Sequence, residues 1–297
     1  MPPGDVLCWA AMSTWDTWRA RSHPIESGGL TIAAYDLGPP DARPVTFLHG
    51  YPSSSHDIEP AAALLDDGWR VLAVDFPGFG ASDKPRDHRY STHAAADALE
   101  RLWDTTAVSS TVLVAHDYGA SVGQEVLARR AEGALPVDID SMIWMNGGIY
   151  PDLHRPTVGQ QFLLDPDHGA EIAASVTEAS FIDGLRVTWG ERVPFDDDAR
   201  REIWRSMDDG DGVPLMHDLL HYVADRREHR ARWQSALEDG DVPMTFVWGD
   251  LDPVSGAHMI ERVEQRIPSA TVIRLADVGH WPLLEAPDAL AAAIRSS

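Results

Sequence analysis

Three side chains of this 297-residue sequence are of the types that carry nucleophilic and acid–base chemistry, and each stands just past an apolar run of strand length: Asp117, Asp252 and His280. Asp117 lies in Ala115-His116-Asp117-Tyr118-Gly119, a small-x-acid-x-small pattern. Small residues at both ends suit a backbone that folds back steeply, where a larger Cβ would clash. A carboxylate is ionised at neutral pH and needs no base to activate it. Asp117 is therefore expected to attack an electrophilic sp³ carbon and form an alkyl ester. His280 would deprotonate a water that attacks the ester carbonyl, and Asp252 would orient the imidazole and stabilise the imidazolium. The backbone N–H groups of Tyr51 and Tyr118 are the expected donors to the oxyanion of that second step. The plainer reading of Asp117 is the N-cap of an ordinary strand-to-helix turn.

Such residues need elements that bring them together. Strand patterns fall near residues 24–25, 30–35, 45–48, 70–75, 111–115, 141–145, 243–248 and 270–275, and helix patterns near 60–66, 89–108, 254–267 and 288–295. A helix-like run with Ala120, Ser121 and Gly123 on its first turn follows Asp117, giving the strand–turn–helix context of a nucleophile elbow. The alternation indicates an α/β fold, a mostly parallel sheet flanked by helices. Ligand sites in such sheets lie at the carboxyl ends of the strands, where the His49, Asp75, Asp117 and Asn146 loops fall. Between 150 and 239 the strand signal vanishes, and a helical pattern carries Phe162, Phe181, Trp189, Trp204, Tyr222 and Trp233. The expected organisation is a core over 13–149, a helical cap over 150–239 inserted between two strands, and the rest of the core over 240–297. Nucleophile, acid, histidine is the chain order of α/β-hydrolases.

Composition narrows the function classes. Apolar content of 44% and charged content of 24% are ordinary for a globular chain, but the net charge of −23 argues against nucleic-acid and anionic-membrane partners. Lys84 is the only lysine, and no function follows from that. Cys8 is the only cysteine, so an intrachain disulfide and a cysteine-based metal site are both excluded. No HExxH or Cys/His spacing suggests a metal, and no cofactor is expected. The first residues lack a basic n-region and no apolar run approaches ~20 residues, so a cytoplasmic protein is expected, with Met12 as an alternative start.

Other polar residues have structural readings. Asp250 is the rival to Asp252, which lies further along the same exit loop. His49 is expected to hold the loop that presents the Tyr51 N–H, while His116 has no identifiable partner. Phe76 to Gly80 reads as a glycine-dependent turn, not a phosphate loop.

The strings HGYPSSSHD, VLAVDFPGFGASDKP, AHDYG, NGGIYPDLHRP, GDLDPVS and VGHWPLLEAP resemble the α/β-hydrolases with an aspartate nucleophile, the epoxide hydrolase and haloalkane dehalogenase superfamily. SDKP, HDYG and the NGGIYPDLHRP string resemble most the mesoderm-specific transcript protein-like group. The resemblance spans residues 38–296 and implies a helical cap over the site, with Asp117 as nucleophile, Asp252 as acid and His280 as base.

The resemblance leaves the substrate open. Haloalkane dehalogenases carry an Asn and a Trp as halide donors where this chain has Tyr51 and Tyr118. Fluoroacetate-type enzymes place arginines after the nucleophile, where this chain has Tyr118-Gly119-Ala120-Ser121. Some dehalogenases carry their acid after the strand that here ends at Asn146. Epoxide hydrolases use cap tyrosines to protonate the opening ring, a task a phenol can perform while neutral at pH 7. Tyr222 is the late-cap candidate, and Tyr150, Tyr118 and Tyr51 are candidates for its partner. Arg155 reads as a hinge ion pair or a substrate contact. The expectation is a cofactor-free hydrolase acting on a small apolar electrophile, an epoxide first and a haloalkane second. A non-catalytic ligand-binding protein of the same fold is the alternative from another class.

Overall fold

The computed structural model describes residues 12–66 and 68–297; Cys8 lies outside them. Eight strands form one sheet: β1 (His23–Ser27), β2 (Leu30–Leu37), β3 (Arg43–Leu48), β4 (Trp69–Val74), β5 (Ser110–His116), β6 (Asp138–Met145), β7 (Met244–Gly249) and β8 (Thr271–Leu275). Their order is β1-β2-β4-β3-β5-β6-β7-β8. The two β2 pairings, with β1 and with β4, are antiparallel, and the other five are parallel. β5 lies between β3 and β6 in register Leu48↔Ala115 and Ala115↔Trp144. Its run Thr111-Val112-Leu113-Val114-Ala115 is buried on both faces, as a central parallel strand requires.

The helix Thr92–Thr106 starts where Ser91 accepts from the Ala94 N–H at 3.1 Å. It ends at Ala107, which takes a left-handed φ of 53°. Trp103 Nε1 donates to Thr46 Oγ1 at 3.0 Å, and Thr46 meets Thr111 at 3.0 Å, tying this helix to β3 and β5. Two expected helices are shorter than the pattern suggests. The one near 60–66 is a 3₁₀ turn, Ser55–Ile58, followed by Glu59–Ala62. The one near 254–267 begins only at Ala257, because the Val254 N–H and the Ser255 hydroxyl bond to Asp252 instead. β6 starts earlier than expected, since the alternation Asp138-Ile139-Asp140 puts only Ile139 inside.

All described elements between β6 and β7 are helical. Within this insertion, residues 188–192 are sewn to the loop that carries His280. The His280 N–H donates to Thr188 O at 2.8 Å, and the Glu191 and Arg192 N–H groups donate to Asp277 O at 2.7 and 2.9 Å. The last helix, Arg230–Glu238, packs on the helix after Asp117, Tyr118–Ala131. There the buried Glu125 carboxylate accepts from Trp233 Nε1 at 2.9 Å and from Arg129 Nε at 2.8 Å, and pairs with Arg232. Among the described residues no helix is long and apolar enough to cross a membrane.

The helix Tyr118–Ala131 approaches β3 so closely that a Cβ on Gly119 would overlap the Leu48 carbonyl. Gly119→Ala is expected to destabilise the fold by about 1–3 kcal/mol or more, since backbone must move to admit the methyl. Urea unfolding monitored by tryptophan fluorescence measures this, and a change within 0.5 kcal/mol, roughly the noise for a neutral site, would show that the approach is not tight.

Candidate active site

Asp117 ends β5 in a conformation that L-residues rarely adopt, φ 47° and ψ −104°, which costs on the order of 1–3 kcal/mol. The surrounding backbone holds it there. The Asp117 N–H donates to Asn146 O at 3.2 Å, and the Gly119 N–H donates to His49 O at 2.9 Å. A Cβ on Gly50 would stand 2.7 Å from His116 Nδ1, so glycine is required for the loop to pass this close. The Asp117 side chain does not cap its own helix. Oδ1 accepts from the Tyr51 N–H at 2.9 Å, and Oδ2 faces His280 Nε2 at 3.6 Å. Tyr118 is the first residue of the helix, so its N–H has no acceptor within the helix.

His280 Nδ1 is 2.8 Å from Asp252 Oδ2. Asp252 is fixed by three further donors: the Val254 N–H at 2.8 Å, Ser255 Oγ at 2.7 Å and Asn146 Nδ2 at 3.0 Å. Asn146 is oriented in turn by its Oδ1, which accepts from the Gly249 N–H at 2.7 Å. Asp250 turns the other way and pairs with Arg274 at 3.0 Å. Burial alone would lower the His280 pKa, but the Asp252 and Asp117 carboxylates outweigh it and raise it to about 10. Burial would raise both carboxylates, yet His280 holds Asp252 and Asp117 below their ordinary range, with Arg226 adding to the effect at Asp117. The resting site is therefore a carboxylate–imidazolium–carboxylate row.

A sequence model of the α/β hydrolase fold matches residues 43–287. The chain belongs to the α/β-hydrolase fold family. It is 36% identical over 259 residues to the putative hydrolase LipZ of Mycobacterium tuberculosis, covering 87% of this chain and 89% of that one. It is 33% identical over 285 residues to the human (Homo sapiens) mesoderm-specific transcript homolog protein, covering 91% of this chain and 84% of that one. The crystal structure of haloalkane dehalogenase DbeA from Bradyrhizobium elkani superposes with a TM-score of 0.74 at 22% identity, over 93% of this chain and 98% of that one.

In this hydrolase several side chains read from sequence fall at the site and others do not. His49 Nε2 accepts from the Phe76 N–H at 3.0 Å, so its Nδ1–H is left to donate to Gly50 O at 2.9 Å. It braces the Tyr51 loop. His116 has a partner that the sequence did not reveal: its Nε2 lies 2.7 Å from the His280 carbonyl. Tyr222 is fully buried, its hydroxyl has no hydrogen-bond partner, and its ring lies 6.1 Å from Tyr51 and 5.1 Å from Tyr118. The Tyr51 hydroxyl donates to Met216 O at 3.3 Å. Tyr150 is not brought here. It is fully buried after β6, its hydroxyl unpartnered, with Arg262 over its ring at 5.6 Å and Glu238 and Arg266 as charged neighbours. Arg155 is exposed and forms no ion pair among the described residues; only its N–H is engaged, with Val254 O at 3.1 Å.

Two residues at the site were not singled out in the sequence. Arg226 donates to the Asp117 carbonyl, and its one sequence signal is the four-residue spacing from Tyr222, which places both on one helix face. His154 is half-buried, and burial together with Arg226 lowers its pKa to about 4. A cavity of about 400 Å³ opens beside the row, lined by Tyr51, His280 and Trp281 from the core and by Phe162, Phe181 and Leu185 from the insertion. No Asp, Glu, Lys or Arg lines it, which suits an uncharged, mainly apolar ligand.

The row sets a pH dependence of stability. The folded state binds the His280 proton more tightly than the unfolded chain, so this contribution is complete below pH 6.5 and is lost as pH rises towards about 10. The stability advantage of wild type over His280→Gln is expected to shrink across that interval. Denaturant melts of both proteins from pH 6 to about 10 test the sign; an advantage that grows with pH would contradict the row.

Proposed function

We propose that this α/β-hydrolase works through a covalent Asp117 ester, with an epoxide as substrate. The observation that carries the reading is one carboxylate set between three groups. Asp117 accepts from the Tyr51 N–H, faces the His280 imidazole, and lies beside an unpartnered buried phenol, Tyr222. A hydroxyl buried without a partner is costly, and a ring oxygen supplied by substrate would satisfy it.

In the first step Asp117 Oδ2 attacks a ring carbon, the C–O bond of the epoxide breaks, and the alkoxide takes the Tyr222 proton. Esterification removes the Asp117 charge, and with it one of the two carboxylates that keep His280 protonated. The imidazolium then gives up its proton more readily, through water to the Tyr222 phenolate, and becomes a base. In the second step His280 Nε2 takes a proton from water as the oxygen adds to the ester carbonyl. The tetrahedral oxyanion sits on the Tyr51 N–H, with the Tyr118 N–H as second donor. Collapse breaks the acyl–oxygen bond, His280 protonates the leaving oxygen, and the proton left on the Asp117 carboxyl returns to His280. Epoxide and water are consumed and a diol is released. Asp252 holds the imidazole, and Asn146, not acidic itself, holds Asp252.

Residues 150–239 act in this reading as a cap between the core segments 13–149 and 240–297, and the mainly apolar cavity beneath it selects a small apolar electrophile. The runner-up, haloalkane dehalogenation, lacks the Asn and Trp donors, and the Tyr51 phenol is already committed to Met216 O.

Intact mass of His280→Gln after exposure to epoxides and haloalkanes decides between them. A stable adduct of the whole epoxide mass, absent in Asp117→Asn/His280→Gln, is the expected result. An adduct of the haloalkane less its halogen would make the enzyme a dehalogenase. No adduct from a folded protein, together with unchanged ligand binding by Asp117→Asn, would leave a binding protein. For wild type, ester hydrolysis needs neutral His280 whereas alkylation needs only ionised Asp117. Quenched reactions at about pH 5 should therefore accumulate ester that is absent at about pH 9, and equal ester at both would show that His280 is not the base.

A further inference from the structure

Arg226 is 2% exposed, yet no carboxylate pairs with it among the described residues. A buried cation without a direct counter-ion costs several kcal/mol on general grounds, so its surroundings call for a reason. Nε donates to Ser121 Oγ at 2.7 Å and Nη2 donates to the Asp117 carbonyl at 2.9 Å. The guanidinium carbon stands 4.5 Å over the Tyr222 ring. Nη1 has no partner and rests on Gly148, where any Cβ would overlap it. The residue belongs to the helical insertion, on the helix Tyr222–Glu228. Its two acceptors flank the strained turn of the core, and the Asp117 carbonyl it holds also accepts from the Ala120 N–H at 3.1 Å.

We propose that Arg226 is a positioning residue for the alkylation step: it pins the Asp117 elbow through its carbonyl and sets a fixed positive charge against the Tyr222 ring. This rests on the epoxide reading above and deepens it. The pin joins both participants of ring opening. It keeps Asp117 in its strained conformation, with Oδ2 facing His280. It also favours the phenolate that forms when Tyr222 gives up its proton, because a cation over the ring gains as the ring becomes anionic. Charge balance follows from the same arrangement. Asp117 and Asp252 are offset by His280 and Arg226, and ring opening passes the Asp117 charge to the Tyr222 phenolate beside the guanidinium. That phenolate is neutralised when His280 releases its proton to it.

The test compares the two half-reactions. In the His280→Gln background, Arg226→Met is expected to slow ester formation from epoxides by about 10²-fold, the scale of losing one preorganised electrostatic donor. Arg226→Lys should recover part of that rate, since an ammonium keeps the charge but cannot bridge Ser121 and the Asp117 carbonyl together. With His280 intact, single-turnover hydrolysis of the preformed ester should change far less. Equal losses in both steps without rescue by lysine, or no loss of alkylation, would overturn the proposal. If His280→Gln traps no ester with any electrophile, the epoxide reading fails on its own. The pin is then judged by hydrogen exchange at residues 117–121 of the full chain. Arg226→Lys and Arg226→Met should each speed exchange there by about tenfold, the worth of one hydrogen bond to a charged donor, and unchanged exchange would overturn it.

Discussion

Two buried carboxylates share one imidazole in this protein, and most of the surrounding architecture follows from the cost of burying them. Isolated carboxylates in an apolar interior would take up protons and lose their charge. Asp117 and Asp252 keep theirs because His280 sits between them at 3.6 and 2.8 Å, and because backbone and side-chain donors use their remaining lone pairs. The donors come from three strand exits: Tyr51 after β3, Asn146 after β6, and Val254 and Ser255 after β7. The carboxyl edge of the parallel sheet is what brings them to one point.

The same economy explains the polar residues around the row. His116 fixes the His280 carbonyl and His49 fixes the Tyr51 loop. Burial keeps both imidazoles neutral, lowering the pKa of His116 to about 4 and that of His49 below its ordinary value. They can then serve as hydrogen-bonding struts without adding charge. Glu285, also buried, accepts from the Gly279, Trp281 and Gly190 N–H groups at 3.0, 3.2 and 2.8 Å. It joins the His280 loop to the helical insertion.

The insertion does two kinds of work. Its early helices wall a mainly apolar cavity. Its later ones carry Tyr222 and Arg226 down to the elbow, and Arg230–Glu238 returns to pack on the core helix. Sequence similarity to mesoderm-specific transcript proteins extends across this whole region, whereas the likeness to solved dehalogenase structures is one of fold.

The sequence by itself determined the strand–helix alternation, the helical insertion and the order Asp117, Asp252, His280, because period-2 and period-3.6 patterns and turn residues are local properties. It also identified the close glycine contacts at the elbow, since a small-x-acid-x-small turn admits little else. The sequence favoured Asp252 over Asp250 only by its place along Gly249-Asp250-Leu251-Asp252; the tertiary structure brings it to the imidazole, through the turn that Val254 and Ser255 close around it. The placement of Tyr150 away from the site, the partner of His116 and the buried Arg226 were likewise decided there. Each involves residues from about 27 to 165 positions apart in the chain, for example Arg226 with Asp117 and His116 with His280. No local periodicity encodes which side chains meet at such separations; packing of the insertion against the sheet edge does.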